Sequence, residues 1–331
     1  MNFDHSPATI SSIHPDILQD NILTRLDGSD LASTGCASSN LYNLSCDESL
    51  WRKLCRQTWP STADPRVQSL IAGFPSGHRS FYSDSFPTLR NRPNTHPPCP
   101  NTDPPQSLIS AIDVFYKGEL ILSKVNETET GPELSWFLCS PFRVDLLDPF
   151  ETYQIPSVKF SKQENKCLTE LGSGLTVSWI LIDPINKRAA NLSTSTAVSV
   201  HRHWLTGEVQ LRFATILTGG DGEPVMCGVV VSCGGKEAGE VYVKEVNLML
   251  EDVDGRTLSG EDSLVILENA MERREKKRIN SMEEKEEYRE YQRMKKERRE
   301  IKQKREKTVD MVCIFICVSL FVAGLYLWTM R

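Results

Sequence analysis

The sequence lacks the short motifs that mark most enzymes and metal-binding domains. Its ten cysteines include no Cys-x-x-Cys pair, which excludes the usual zinc-ribbon, RING and thioredoxin-like motifs. It contains no P-loop, no dinucleotide-binding glycine fingerprint and no Gly-x-Ser-x-Gly. We therefore predict a protein that is not an enzyme, with no catalytic residue, no cofactor and no metal ligand.

A signal peptide and internal repeats are also missing. Residues 1–20 contain three aspartates and no apolar run, so we expect a reducing compartment in which thiols stay free and mostly buried. No self-similarity with a period of 20–50 residues is visible, which disfavours kelch, WD and leucine-rich arrays.

Charge is distributed unevenly along the chain. The net charge of −6 and the 25% of charged residues are ordinary for a soluble protein. Residues 268–307, however, hold 16 Lys/Arg and 11 Asp/Glu, a local net charge of +5 that leaves −11 for the rest. The acidic residues are interleaved with the basic ones throughout, so nucleic-acid binding is not predicted.

The same stretch has the pattern of a long helix. It contains neither Pro nor Gly, and Glu272–Lys276 is oriented as a stabilising i,i+4 pair. Ser259-x-x-Asp262 upstream resembles a capping box. We predict a charged helix in 258–308 that acts as a solvated spacer, about 60 Å long over 40 helical residues. A weak coiled coil is the alternative.

The most apolar run of the chain comes after this stretch. From Met311 to Trp328 the only clearly polar residue is Ser319, and with its flanks the run matches a hydrocarbon core of about 30 Å. We predict a transmembrane helix at 309–330, with a buried core helix as the alternative. Four basic residues precede the run, which favours a cytosolic position for the bulk of the chain: Lys302, Lys304, Arg305 and Lys307. Three residues come after it, so we expect a tail-anchored protein, with the endoplasmic reticulum as the expected membrane.

The N-terminal residues 13–59 have the pattern of three short amphipathic helices. Apolar spacing predicts the first at Pro15–Leu26 and the second at Ser29–Asn40, and Ser45-x-x-Glu48 predicts the N-terminus of the third. A module of fewer than about 50 residues buries little surface alone, so it needs a partner to cover its apolar stripes.

The apolar residues of these helices occur in a recognisable order. They read His14-Pro15, Leu18, Ile22-Leu23, Leu26, then Asp30-Leu31, then Leu50-Trp51-Arg52-Lys53-Leu54-Cys55. This order and spacing resembles an F-box, and the closing motif is similar to that of plant F-box proteins in particular. The sequence departs from the usual pattern at His14, where Leu is common, and at Leu41, where Trp is common.

The resemblance implies a partner and a set of contact residues. F-box proteins bind a Skp-family adaptor and, through it, the cullin and RING subunits of a ubiquitin ligase, and they perform no bond chemistry. The residues that would face the adaptor are Pro15, Leu18, Ile22, Leu23, Leu26 and Leu31. Trp51 and Leu54 would hold the helices together or complete the same surface. A generic three-helix bundle without this partner is the alternative.

A proline-rich segment separates this module from the rest of the chain. Ten of the 18 prolines lie between Pro60 and Pro105, which predicts an extended linker at 60–106, just as 1–12 is predicted to be disordered. The first part of the linker also contains apolar residues that indicate packing on the module: Val67, Leu70, Ile71 and Phe74.

Residues 107–257 change to short apolar runs separated by glycine-rich turns. The runs are Leu120–Val125, Leu134–Phe142, Leu175–Ile182, Thr196–Val200, Val209–Leu217, Val225–Ser232 and Gly239–Leu250. They predict an antiparallel β domain, most simply a sandwich, at the place where F-box proteins carry their substrate-recognition domain. His201 and His203 would share one face of a strand, but no third ligand accompanies them, so we expect an ordinary exposed pair.

The predicted fold class is therefore multidomain α + β. An N-terminal three-helix F-box-like module precedes an antiparallel β-sandwich-like domain, a long charged helix and a C-terminal transmembrane helix. The predicted function is that of the substrate-recognition subunit of a Skp–cullin–F-box ubiquitin ligase, tethered to a membrane and acting on an unknown protein. The alternative is a membrane-anchored interaction or ligand-binding protein with no ligase role.

Overall fold

The structure, a computed structural model, describes residues 13–86, 105–131, 135–161, 165–272 and 281–331. The predicted disordered N-terminus and residues 87–104 of the predicted linker lie outside these ranges.

The N-terminal part of the chain is helical as far as Ser85. It opens with a turn of α-helix (α1, Pro15–Ile17), a π-helical turn (Leu18–Ile22) and a 3-10 turn (Leu23–Arg25). Then come α2 (Gly28–Gly35), α3 (Ser39–Ser45), α4 (Glu48–Thr58), a 3-10 turn (Pro60–Ala63), α5 (Pro65–Ala72) and α6 (Gly77–Ser85).

Local capping explains two differences from the predicted helices. The predicted second helix is divided, because the Ser38 hydroxyl accepts a hydrogen bond from the Leu41 N–H and starts α3. The predicted cap of the third helix is wrong. Asp47 caps α4 by accepting from the Ser49 N–H at 2.7 Å, whereas Ser45 is buried and its hydroxyl donates to the Tyr42 carbonyl.

The segment from Pro60 to Ser85 is helical rather than extended. Pro60 and Pro65 occupy first-turn positions of their helices, where the missing N–H costs no hydrogen bond. The apolar residues of this segment pack on the N-terminal helices and on the β domain, with Val67, Ile71 and Phe74 fully or almost fully buried. Proline content alone therefore overstated the length of the linker.

The β domain is a sandwich of two antiparallel sheets. Its strands are β1 (Ser107–Tyr116), β2 (Glu119–Glu129), β3 (Arg143–Asp145), β4 (Tyr153–Lys159), β5 (Leu175–Asp183), β6 (Arg188–Asn191), β7 (Ser199–Arg202), β8 (Val209–Thr218), β9 (Pro224–Gly235) and β10 (Glu240–Glu251). One sheet has the order β2-β1-β5-β6, and the other has the order β3-β10-β9-β8-β7, with β4 also paired to β10. The predicted α + β fold class is confirmed, and the sheets are antiparallel as expected.

Strand β1 shows that the four-stranded sheet packs on a different layer with each of its two faces. Leu108, Ile112 and Val114 pack in the core between the two sheets. Ile109 and Ala111 alternate with them and pack against the N-terminal helices. The helices therefore cover the outer face of this sheet.

Two short helices lie where the sequence pattern does not predict them. The apolar run Leu134–Phe142 predicts a strand, but it contains α7 (Ser135–Cys139). Helix α8 (Lys166–Gly174) precedes β5. Its apolar residues Cys167 and Leu171 are buried in the sandwich core.

In the described part of the charged region, the first residues of each helix pack on the β domain rather than forming a solvated spacer. The predicted capping pair is present at the start of α9 (Gly260–Glu272), although it is only half of a capping box. The Ser259 hydroxyl accepts from the Asp262 N–H at 3.2 Å and donates to the Asp262 carboxylate at 2.8 Å. Helix α9 buries Leu264, Leu267 and other apolar residues in the sandwich core. The continuous helix α10 (Ser281–Thr329) then docks its first turns on the outer face of the six-stranded sheet.

The described part of the chain thus has four layers. They are, in spatial order, the N-terminal helices, the four-stranded sheet, the six-stranded sheet and the first part of α10.

Candidate adaptor-binding surface

The eight predicted adaptor contacts differ in burial. Leu18, Leu23, Leu31 and Trp51 are buried, Leu26 and Leu54 are half-buried, and Pro15 and Ile22 are exposed. Leu23, Leu31 and Trp51 belong to the core that holds the helices together, a role that the sequence had suggested for Trp51. Among the eight, Pro15 and Ile22 expose the most surface, and Leu26 and Leu54 expose part of theirs.

Two residues that sequence reasoning missed, Ile13 and Ile17, extend this exposed set. Ile17 is 52% exposed, Ile22 is 43% exposed and Ile13 is 37% exposed. Together with exposed Pro15 they make up four exposed apolar residues within ten positions of the chain, which we call the apolar strip (Ile13, Pro15, Ile17 and Ile22). A concentration of exposed apolar residues is typical of a surface that a partner covers.

The sequence did contain a signal for the strip. Ile17-Leu18 and Ile22-Leu23 are apolar doublets, and neighbouring residues on a helix point in directions about 100° apart. In both doublets the Leu is buried and the Ile is exposed. One residue of each doublet therefore anchors the segment while the other faces outward.

Aromatic side chains form part of the core of the N-terminal helices. The Trp51 indole N–H donates to the Ser45 carbonyl at 2.7 Å, which satisfies its polar atom inside the core. The Trp51 and Tyr82 rings lie 5.4 Å apart between centroids, and Tyr82 lies 5.1 Å from Trp59. These contacts join α4 to α6, so the helices after the predicted module are part of the same core.

Asp113 of β1 attaches this helical core to the sheet. Its buried carboxylate accepts hydrogen bonds from the Ser61 N–H at 2.9 Å, the Ser61 hydroxyl at 2.6 Å and the Ser123 hydroxyl at 2.7 Å. Burial raises the pKa of Asp113, and these hydrogen bonds partly offset that rise. The contact fixes the Pro60–Ala63 turn on the four-stranded sheet.

The thiol of Cys55, the last residue of the Leu-Trp-x-x-Leu-Cys motif, is buried. Burial and, to a lesser extent, the negative charge of Glu48 raise the pKa of Cys55 to about 12. Its Sγ lies 3.6 Å from the His78 carbonyl oxygen, within range of a weak hydrogen bond. Cys55 is therefore protonated at neutral pH and is not an activated nucleophile.

No metal centre is found within the described ranges. They contain no group of three or more His, Cys, Asp or Glu side chains that could hold an ion. His201 bonds to the side chain of Gln210, and the His203 ring bonds to Thr206 in the turn after β7.

Comparison with known proteins places the chain in a family. An F-box-like family model matches residues 15–57. The chain is 45% identical to the F-box protein At2g27310 of Arabidopsis thaliana over 325 residues, which cover 95% of this chain and 94% of that protein. It is 47% identical to the F-box protein At3g44326 of the same plant over 286 residues, which cover 83% and 77%.

A third relative, named as a probable F-box protein, At2g36090 of the same plant, is 43% identical over 81% of this chain and 78% of its own. No solved structure matches the chain. The similarity extends from the helical module through the β domain, and it confirms the resemblance seen in the motifs. The chain belongs to the plant F-box proteins.

Proposed function

We propose that this protein is the substrate-recognition subunit of a Skp–cullin–F-box ubiquitin ligase, with the N-terminal helices binding the Skp-family adaptor. The observation that carries the proposal is the apolar strip, which lies at the start of the F-box-like match and leaves three isoleucines open to solvent. Cullin and RING subunits would join through the adaptor. The protein would position a target and leave the chemistry of ubiquitin transfer to its partners.

We propose fewer adaptor contacts than the eight residues that the resemblance implies, because several of those eight are buried. A substitution at buried Leu23 or Leu18 would unfold the helices and so would say nothing about binding. Ile17 and Ile22 can be changed without opening the core, because their side chains already face solvent.

Co-purification of the full chain with a Skp-family adaptor tests this proposal. We expect the double variant Ile17→Asp, Ile22→Asp to lose adaptor binding by roughly 30-fold or more, the effect of removing an interface hot spot of about 2 kcal/mol. Ile185→Asp is the matched control, because Ile185 is 50% exposed on the turn between β5 and β6, outside the F-box-like match. Equal binding by all three proteins would leave the alternative, an interaction protein without a ligase role.

We further propose that residues 309–330 hold the protein in a membrane with its β domain on the cytosolic side. Helix α10 is long and apolar enough to cross a membrane by length and composition, and none of that apolar window is buried within the protein. Val309, Phe321 and Trp328, for example, are 60%, 68% and 77% exposed. These side chains need an apolar environment that the described part of the chain does not supply, and the basic residues before them favour the cytosolic side.

Flotation of the full chain with microsomal membranes tests the anchor. Lysine substitutions at Leu320 and Val322 would place charge near the middle of the span, where each costs about 3 kcal/mol, so we expect the variant to stay in the soluble or aggregated fraction. Gln303→Lys, in the exposed part of α10 before the span, is the control and should float like the wild type. Flotation of the Leu320/Val322 variant at the wild-type level would contradict a membrane-spanning role.

A further inference from the structure

The turn between β7 and β8 carries an unusual pair of exposed residues. Trp204 is 88% exposed and Leu205 is 72% exposed. By contrast Trp51, Trp59 and Trp179 are each 3% exposed or less. Among the tryptophans whose side chains the structure describes, Trp204 is the only one outside the apolar C-terminal run that faces solvent. We call residues His203 to Gly207 the tryptophan turn.

Hydrogen bonds hold the backbone of the tryptophan turn in one shape. The His203 N–H donates to the Glu208 carbonyl at 2.7 Å, and the Gly207 N–H donates to the His203 carbonyl at 2.9 Å. Gly207 adopts a positive φ of 72°, a conformation that favours glycine. The Thr206 N–H donates to the His203 ring at 3.2 Å, and the same ring stacks beside Trp204.

Arg202 fixes this turn to the rest of the domain. Its guanidinium donates to the Gly207 carbonyl at 2.8 Å and to the Ser161 carbonyl, after β4, at 2.6 Å. Lys244 of β10 pairs with Glu208 at 2.8 Å on the other side. These contacts restrain the backbone that carries the exposed indole, so the turn itself loses little conformational entropy when it binds.

The tryptophan turn lies at the end of the sandwich that faces away from the proposed membrane. Strand β8 begins at Val209, directly after the turn, and runs for about 30 Å to Thr218. Helix α10 leaves the domain at the opposite end, where Arg298 pairs with Glu223 after β8. From there the helix rises about 16 Å more before the proposed span begins at Val309.

This geometry separates two classes of partner. A Trp-Leu pair suits either a lipid surface or an apolar pocket on a protein. The turn and the apolar run lie on opposite sides of the domain, so an anchored chain holds Trp204 tens of ångströms from its own membrane. Within the described ranges the charged side chains beside the turn have both signs, since Arg202 and Lys244 are basic and Glu208 is acidic, so these residues make no uniform basic patch for anionic headgroups.

We propose that the tryptophan turn is the target-binding element of the β domain, and that Trp204 and Leu205 insert into an apolar pocket on a target protein. Calling the bound protein a target rests on the proposed function. The binding surface itself does not depend on adaptor binding. Large exposed aromatics on a rigid base are the typical energetic centres of protein interfaces.

A photo-crosslinking amino acid at position 205 of the full chain, expressed in plant cells, tests the proposal. We expect adducts with a protein, and we expect Trp204→Ser to reduce their yield by about tenfold or more. The matched control is Phe150→Ser, because Phe150 is 98% exposed but lies on the loop between β3 and β4. That variant should leave the adduct yield unchanged.

The lifetime of the crosslinked protein then separates the two proposals. We expect its half-life to lengthen several-fold in cells that carry Trp204→Ser and in cells that carry the Ile17→Asp, Ile22→Asp variant, but not with Phe150→Ser. If Trp204→Ser alone abolishes the adduct and the F-box variant leaves the half-life unchanged, the ligase role fails and the binding surface stands. Adducts with lipid or with a second copy of this chain, or adducts insensitive to Trp204→Ser, would overturn the inference.

Discussion

The docking of α10 on the six-stranded sheet leads to a prediction about Tyr291. This residue is fully buried, packs against Ala214, Ile216 and Met226, and donates its hydroxyl to the Asp252 carbonyl at 2.6 Å. It is the main apolar contact between the helix and the sheet. We expect Tyr291→Ala to detach the first part of α10 from the domain while the helix itself remains formed.

The structure sets the size of the effect. Replacing a buried aromatic residue by Ala typically costs about 3–5 kcal/mol, since both apolar burial and a filled space are lost. Each 1.4 kcal/mol changes an equilibrium tenfold, so the equilibrium constant for undocking should rise by roughly 10² to 4 × 10³. Tyr291→Phe keeps the ring and loses the hydrogen bonds of the hydroxyl, a loss of about 1 kcal/mol.

Pulsed electron spin resonance on the full chain in lipid nanodiscs measures this docking. Spin labels at Lys236, on the turn between β9 and β10, and at Arg299, just after the docked part of α10, are both on exposed positions. We expect one narrow distance distribution for the wild type and a broad one for Tyr291→Ala. Arg289→Ala is the control, because Arg289 lies on the exposed side of the same helix and should preserve the narrow distribution.

A narrow distribution at the wild-type distance in Tyr291→Ala would refute this reasoning. It would mean that the polar contacts of the helix hold it without the aromatic contact, namely the Glu284–Ser195 hydrogen bonds and the ion pairs Lys295–Glu251 and Arg298–Glu223. The second of these pairs is about 40% exposed on each side, a setting in which ion pairs are worth about 0–1 kcal/mol.

Three further predictions concern the helical core. Asp113→Asn should lower the free energy of unfolding by about 1–3 kcal/mol at pH 7. Because burial raises the pKa of Asp113, this residue contributes most to the free energy of unfolding at pH values below the usual carboxyl pKa, and its contribution falls as the pH rises. The difference in unfolding free energy between the wild type and Asp113→Asn should therefore be larger in urea titrations at acid pH than at pH 7. Gly28→Ala should lower the melting temperature although Ala favours helices, because its Cβ would overlap the Tyr82 ring. In the folded protein iodoacetamide should modify exposed Cys36 but not Cys55, as read by mass spectrometry.

The local patterns of the sequence located the F-box-like region. They could not show which of its apolar residues are buried and which are exposed. The doublet Ile22-Leu23 has the same hydrophobicity at both positions, and only the neighbouring helices determine which side chain is covered. Helix α6 supplies Tyr82 to that core, and it lies in a segment whose prolines suggested an extended linker. A proline in the first turn of a helix and a proline in a linker are alike in composition, and only the residues after them distinguish the two.

Strand β1 illustrates a different limit of prediction from sequence, which concerns strands that are buried on both faces. The residues Ser107–Tyr116 are almost all buried, because one face packs on the second sheet and the other on the N-terminal helices. A strand that is covered on both faces lacks the alternation that marks a strand at the surface. Asp113 sits within it as a buried carboxylate, and its partner Ser61 is 52 residues away in the chain, so no local pattern could reveal that contact.

The position of the sandwich between two helical layers has a consequence for the proposed ligase. One sheet holds the helices that carry the apolar strip, and the other holds the helix that carries the apolar run. The buried Asp113–Ser61 contact fixes the first attachment, and the Tyr291 contact fixes the second. An adaptor bound at the strip would therefore be held at a constrained orientation to the membrane, rather than on a free tether. Because ubiquitin transfer depends on the reach between ligase and target, loosening α10 by Tyr291→Ala should change which lysines of a membrane-bound target are modified, while adaptor binding stays intact.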